Sequence, residues 1–284
     1  MRKTLLKIAI VAGLVAVPFA VHWLYRAMTA LPRQITIATG PEGGAYRDIS
    51  ERLAAEMAAR HDLKVQLVPT NGSAENLQLL REGKVDFALS MAAPQSTPRS
   101  GGDVRLSEIA FVANVYSEVA HLVVRRDSKI TGIGGLRSKR IALGKLGSGN
   151  RAMSLLVLEH LGIEQDEIEG KDLDYRDMKI GLLNGTLDAA IISAGVRAPI
   201  LQQLAASGRC DILGMPFVKA LAAKHLLMAE FEIPTGRYCT KPTPVPATDI
   251  KTVAVRAQLL TRKNTPVRLV KAMTATVLGA RFQQ

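Results

Sequence analysis

Residues 79–90 read LLREGKVDFALS, and residues 182–193 read LLNGTLDAAIIS. In both, a Leu-Leu helix end reaches a glycine, an aspartate follows three residues later, and an alanine two after that. Gly83, Asp86 and Ala88 therefore correspond to Gly185, Asp188 and Ala190. A glycine there is a helix stop signal. The apolar run behind the aspartate reads as a buried strand. The two copies lie about a hundred residues apart, far too long a period for a solenoid. Two similar α/β lobes account for it.

Working outward, Ile35–Thr39 alternates as a strand. The following helix carries Tyr46, Ile49, Leu53 and Met57 on one face. KVQLVP is a second strand, and TNGSAENLQLLREG reads as a turn, an N-cap at Ser73 and a helix ending on glycine. VDFALSM is the third strand. Strand–helix–strand–helix–strand implies parallel pairing with helical crossovers. RIALGKLGSGNRAMSLLVLEHLG opens the second copy in the same way. Between the copies, ANVYSEVAHLVVRRDS is placed to carry the chain from one lobe to the other. DILGMP closes the second lobe. The Pro- and Thr-rich FEIPTGRYCTKPTPVPAT reads as an irregular crossing back, and IKTVAVRAQLLTRK as one or two strands. A last helix is expected after Thr265-Pro266, with Val267, Val270, Met273 and Val277 as its apolar face. The expected division is a membrane anchor or signal sequence over 1–33, the first part of lobe one over 34–117, lobe two over 118–215, and a crossing segment returning to lobe one over 216–284.

The chain of 284 residues carries a formal charge of +12. Arg2, Lys3, Lys7, Arg26 and Arg33 supply five of these charges from a start that holds no acid. The rest are spread along the chain with few aromatics, so the pattern gives nucleic acid no binding face. A positive surface suits anionic ligands or an anionic membrane. The apolar run from Ile8 to about Tyr25 approaches the roughly 20 residues that span a bilayer. Met28, two residues before Ala30, spoils a small-residue cleavage site there. The run is read as an uncleaved transmembrane helix, with the basic front inside and everything after it in the periplasm. Cys210 and Cys239 are the only cysteines; export permits a disulfide, and two unpaired thiols fit equally well.

Ligands of parallel α/β lobes sit at the carboxyl ends of strands beside helix N-termini, where free N–H groups favour anions. Three polar turns occupy such places: GPEGGAY, TNGSAEN and LGSGN. The candidate ligand-binding set is Gly43, Gly44, Tyr46, Ser73, Ser90, Ser148, Gly149, Asn150 and Ser193. Each has a plain alternative: the turns are also ordinary helix starts, Tyr46 is also a first core residue, and Ser73 is also only a cap. Asp86 and Asp188 read as structural. Glu118 either secures the hinge or faces ligand. Gly40, Gly43 and Gly44 do not form G-x-G-x-x-G, and no Lys-Ser/Thr follows, so the first turn is not a nucleotide loop. The histidines show no H-x-x-x-H spacing, no G-x-S-x-G elbow is present, and no compact metal-ligand cluster appears. No cofactor, metal or catalytic residue is expected.

Together these turns resemble the TAXI family, the extracytoplasmic solute receptors of TRAP transporters. The resemblance runs from about Ile35 onward. It is carried by ITIATGPEGGAY, by VPTNGSAENLQLLREGKVDFALS with Thr70, Gly72, Ser73, Asn76, Gly83, Asp86 and Ala88, and by YSEVAHLVVRRDS, LGSGN, NGTLDAAI and IPTGRY in order. Arg47 stands where a second aromatic is common in that family, and Asn150 where a threonine is usual. The resemblance implies a two-lobe type II periplasmic-binding-protein fold. It also implies a small organic anion, an amino acid or carboxylate, held in the cleft and passed to TRAP membrane subunits. A membrane-tethered sensor is the alternative; an extracytoplasmic hydrolase lacks its nucleophile and metal patterns.

Overall fold

Both copies of the glycine–aspartate pattern fold alike in the computed structural model, which describes residues 14–23, 25, 30–41, 44–92 and 108–283. The first copy is β1 (Gln34–Ala38), α1 (Ala45–His61), β2 (Lys64–Val68), α2 (Ser73–Arg81) and β3 (Phe87–Met91). Next comes β4 (Ile109–Arg125), and then the second copy: β5 (Arg140–Ala142), α3 (Gly149–His160), β6 (Glu169–Lys171), α4 (Tyr175–Asn184) and β7 (Ala189–Ala194). The aspartates explain the repeat. Asp86 Oδ2 accepts from the backbone N of Thr36 in β1 at 2.7 Å, and Asp188 Oδ2 accepts from the N of Arg140 in β5 at 3.0 Å. Each therefore locks the third strand of its unit to the first. Gly83 and Gly185, with φ of +70° and +88°, turn the chain out of α2 and α4 toward those aspartates.

The remaining elements are α5 (Pro199–Ala206), β8 (Cys210–Leu213), α6 (Val218–Lys224), β9 (Met228–Ile233), β10 (Ile250–Arg262), α7 (Val267–Val277) and α8 (Ala280–Gln283). The strand order is β2-β1-β3-β10-β4-β7-β5-β6. It reads the same from either end once the two copies are exchanged and β10 is exchanged with β4. Within each copy the strands pair in parallel, while β4 and β10 run antiparallel to each other and to β3 and β7. The long strands serve both lobes: Ile109–Ser117 of β4 pairs with the part of β10 that joins β3 of the first copy, and Val119–Val124 pairs with β7 of the second. Separate apolar cores cover them. Ile37, Leu53, Met57, Leu259 and Met273 pack in one half, and Leu122, Ile141, Met153, Ile191 and Val253 in the other.

Two expectations change, and one open alternative, the state of the two cysteines, is decided. The stretch 216–249 does not cross back. Val218, Leu221 and Met228 share the core of Ile141 and Ile191, and β9 pairs with the first half of β10. Its Pro-rich part is pinned to β4, where Nε2 of buried His121 lies 2.6 Å from the Tyr238 hydroxyl. The return to the first half is made by β10 itself. The last helix begins at Val267 on Pro266 without a side-chain cap, and Thr265 Oγ1 instead pairs with Thr261 Oγ1 at 2.8 Å. Its buried face is Leu269, Ala272, Met273, Thr276 and Val277; Val267 is exposed. Cys210 and Cys239 are free thiols.

The expected span from Ile8 to Tyr25 extends over residues outside the described set. Residues 14–23 are helical and exposed. Among the described residues no helix is long and apolar enough to cross a membrane.

Candidate functional site

The N-termini of α1, α2, α3 and α4 converge on a cavity between the two halves. It encloses about 620 Å³ of non-atom space, part of it open to solvent. The first half contributes Gly44, Tyr46, Gly72 and Ser73; the second contributes Lys145, Ser148, Gly149, Tyr175 and Ser193. Two residues of β4, Tyr116 and Glu118, line it where that strand passes from one half to the other. The halves touch beside it: Ala74 N donates to Gly147 O at 3.3 Å. This is a closed arrangement.

Of the candidate residues, Gly44, Tyr46, Ser73, Ser148, Gly149, Asn150 and Ser193 all line the cavity. Gly43, with Glu42 beside it, lies outside the described residues. Ser90 does not line the cavity. It sits fully buried in β3 opposite Gln258, its hydroxyl directed to Met91 O at 3.4 Å. Ser73 is not a cap either. Gly72 holds the N-cap position, and Ser73 Oγ accepts from Met91 N at 3.0 Å and lies 3.2 Å from the Tyr46 hydroxyl. Arg47 pairs with Glu51 at 2.5 Å, away from the cavity lining.

Asn150 corrects a larger expectation. Its Nδ2 donates to Leu143 O at 2.8 Å and Ile191 O at 2.9 Å, and its Oδ1 accepts from Ser193 N at 2.6 Å. Both N–H donors of the amide are used, so toward a ligand it offers only the second lone pair of Oδ1. Asn76 does the same in the first half: Nδ2 donates to Thr39 O at 2.5 Å and Leu89 O at 2.6 Å, and Oδ1 accepts from Thr70 Oγ1 at 2.5 Å. Each asparagine ties the ends of the first and third strands of its unit to the helix beside the cavity. Ser148, in contrast, is a true N-cap, accepting from Arg151 N at 3.1 Å.

Tyr116 and Tyr175 are outside the candidate set, while Glu118, read as securing the hinge or facing ligand, lines the cavity. Glu118 is 4% exposed, and its Oε1 accepts from the Tyr116 hydroxyl at 2.8 Å. Burial raises its pKa to about 7, against the lowering influence of the Tyr116 and Tyr46 hydroxyls. Tyr46, Tyr116 and Tyr175 are all raised, by burial first and by the Glu118 charge second. Tyr175 donates to Ser193 O at 2.6 Å, while Ser193 Oγ, 3% exposed, has no hydrogen-bond partner. At the mouth, Lys145 Nζ lies 3.4 Å from Asp174 Oδ2. Among the described residues no group of three His, Cys, Asp or Glu side chains is arranged to hold a metal.

The raised Glu118 carboxyl has a stability consequence. Between its ordinary 4.5 and about 7 the native protein keeps a proton that the unfolded chain has released. Stability attributable to Glu118 therefore falls as pH rises through that window and stays lower above it. Buried His121, lowered to about 4, acts in the opposite sense as pH falls below its ordinary 6.5. Urea titrations of native protein and Glu118→Gln isolate the first effect. The native-minus-variant difference should shift by on the order of 2 kcal/mol between pH 4.5 and pH 8. A difference that does not change with pH would show that burial leaves this carboxyl unperturbed.

The pattern of the NMT1-like family matches residues 37–281, which takes in both units and both long strands. The chain belongs to the NMT1-like family. Solved structures with the same architecture come from several systems. This NMT1-like chain superposes on the periplasmic aliphatic sulphonate binding protein SsuA of Escherichia coli with a TM-score of 0.51 at 15% identity, covering 87% of this chain and 68% of that one. The GluR0 ligand-binding core of Nostoc punctiforme, in complex with L-glutamate, gives 0.52 at 15%, covering 87% and 92%. A substrate-binding protein of an ABC uptake transporter from Streptococcus pneumoniae, with bound histidine, gives 0.51 at 15%, covering 86% and 85%. At these identities the likeness concerns fold: the NMT1-like chain has the two-lobe α/β architecture of periplasmic binding proteins.

Proposed function

We propose that this protein is an extracytoplasmic solute receptor that closes its two lobes on a small organic acid and passes it to a membrane transporter. The observation that carries this reading is the cavity. Equivalent turns of two repeated units meet across it, and four helix N-termini, those of α1, α2, α3 and α4, open onto it. Such helix starts present unpaired N–H groups and a positive dipole end, the simplest holder of a ligand carboxylate. Ser73, Ser148, Gly149 and Ser193 are the proposed contacts, with Gly43 and Gly44 at the first turn. Binding, not turnover, is the role of these groups. On the motif resemblance the transporter is of the TRAP type. The N-terminal segment holds the receptor at the inner membrane; the exposed apolar side chains of Leu14, Phe19 and Trp23 support that part of the reading.

A thermal-shift and calorimetric panel of small organic acids and amino acids tests the receptor role. A ligand at about 100 times its dissociation constant should add roughly 2.7 kcal/mol. A panel in which no member stabilises the folded protein would sink the reading.

A further inference from the structure

The side chains lining the cavity are not those of a site for a simple anion. They carry two carboxyl groups, Glu118 and Asp174, against one base, Lys145, which Asp174 already engages. No arginine is among them. Asp174 and Lys145 stand at the mouth, so among the described residues Glu118 is the one charged group of the interior. Around it are the rings of Tyr46 from α1, Tyr116 from β4 and Tyr175 from α4, with Tyr46 and Tyr116 edge to face at 6.4 Å between centroids. A lone carboxylate in a cavity walled by tyrosines is a chemical complement to an ammonium group, through direct charge pairing. Beside it, the hydroxyl of Ser193 is buried on the cavity wall without a partner. A buried polar atom left unpaired is costly, and a ligand donor or acceptor would relieve it.

We infer that the solute is an amino acid: its ammonium is taken by Glu118 among the three tyrosines and hydrogen-bonds Ser193 Oγ, while its carboxylate lies at the helix N-termini of Ser148 and Gly149. This rests on the solute-receptor reading and narrows it, since an organic acid without an amine would leave Glu118 facing the ligand with nothing to neutralise it. The polar and charged groups facing Glu118 are the three tyrosine hydroxyls, with the Lys145–Asp174 pair farther out.

The test uses matched pairs on the native protein, each common L-amino acid against the acid in which hydrogen replaces its ammonium, such as L-alanine with propionate or L-glutamate with glutarate. Calorimetric titration should find an amino acid that binds while its deaminated counterpart binds at least about 30-fold more weakly. Its affinity should fall about tenfold per pH unit below about 7, where Glu118 takes up a proton and loses its charge pairing with the ammonium. Glu118→Gln keeps the shape of the side chain and should lose a similar factor. Two results overturn the assignment while leaving the receptor role standing. One is a deaminated acid that binds as tightly as its partner. The other is affinity that rises as pH falls, because a protonated Glu118 would then be donating to a ligand carboxylate. Silence of both series overturns the assignment and the receptor role together.

Discussion

Asn150→Ala should lower folding stability by about 2–3 kcal/mol, measured by urea denaturation at neutral pH. The magnitude follows from what the amide joins. Removing it strands one buried N–H, of Ser193, and takes a donor from two buried carbonyls, of Leu143 and Ile191, which keep the Ser154 hydroxyl at 2.8 and 3.4 Å. Each buried group left unpaired costs about 1–3 kcal/mol, moderated where water can enter from the cavity. Asn76→Ala should cost as much, since it takes a donor from Leu89 O and from Thr39 O, the latter keeping Thr70 Oγ1 at 3.2 Å, and removes the acceptor of the Thr70 hydroxyl. A loss below about 1 kcal/mol in both variants would mean that the strand ends hold without these side chains.

Gly149→Val should leave the fold intact and weaken solute binding roughly 30- to 100-fold, the equivalent of about 2–3 kcal/mol. A Cβ at Gly149 would stand 2.8 Å from Ser73 Oγ and 3.3 Å from Met91 Cε. Both atoms belong to the opposite half, so the clash exists only when the halves are together. Ser73 cannot swing clear cheaply, because it is fully buried and holds Met91 N. Opening the cleft removes the conflict, so the cost falls on closure and not on folding. Paired measurements of melting temperature and of the dissociation constant for whichever solute the panel identifies separate the two. Undiminished affinity would show that the bound state does not bring these turns together.

The repeat was readable in the chain because it reports backbone requirements. A glycine at positive φ and an aspartate that receives a strand N–H act within a few residues of their own positions or on one neighbouring strand, and the side chain types announce them. The three polar turns were readable for a similar reason, since helix starts have a local signature. Asn150 shows where this stops. An amide in a helix's first turn reads identically whether it faces a ligand or staples two strands, and only the position of Leu143 O and Ile191 O decides. Glu118 and Tyr175 meet through a strand from one part of the chain and a helix from another, with no pattern linking them. The Pro-rich stretch before β10 read as a linker by composition, yet the His121–Tyr238 contact spans a sequence distance that composition does not report.

The two long strands have a consequence for the order in which the protein assembles during synthesis. β3 is flanked by β1 and β10, and its residues are buried throughout. Its partner on one side leaves the ribosome early, and its partner on the other only after the entire second half has been made. Until then the first half is a three-stranded sheet with an open apolar edge, the kind of edge that pairs with other chains. The second half is incomplete for the same interval, because β9 also pairs with β10. A single late strand thus closes both halves, and the apolar edge of β3 stays unpaired by β10 until residue 262 has been made.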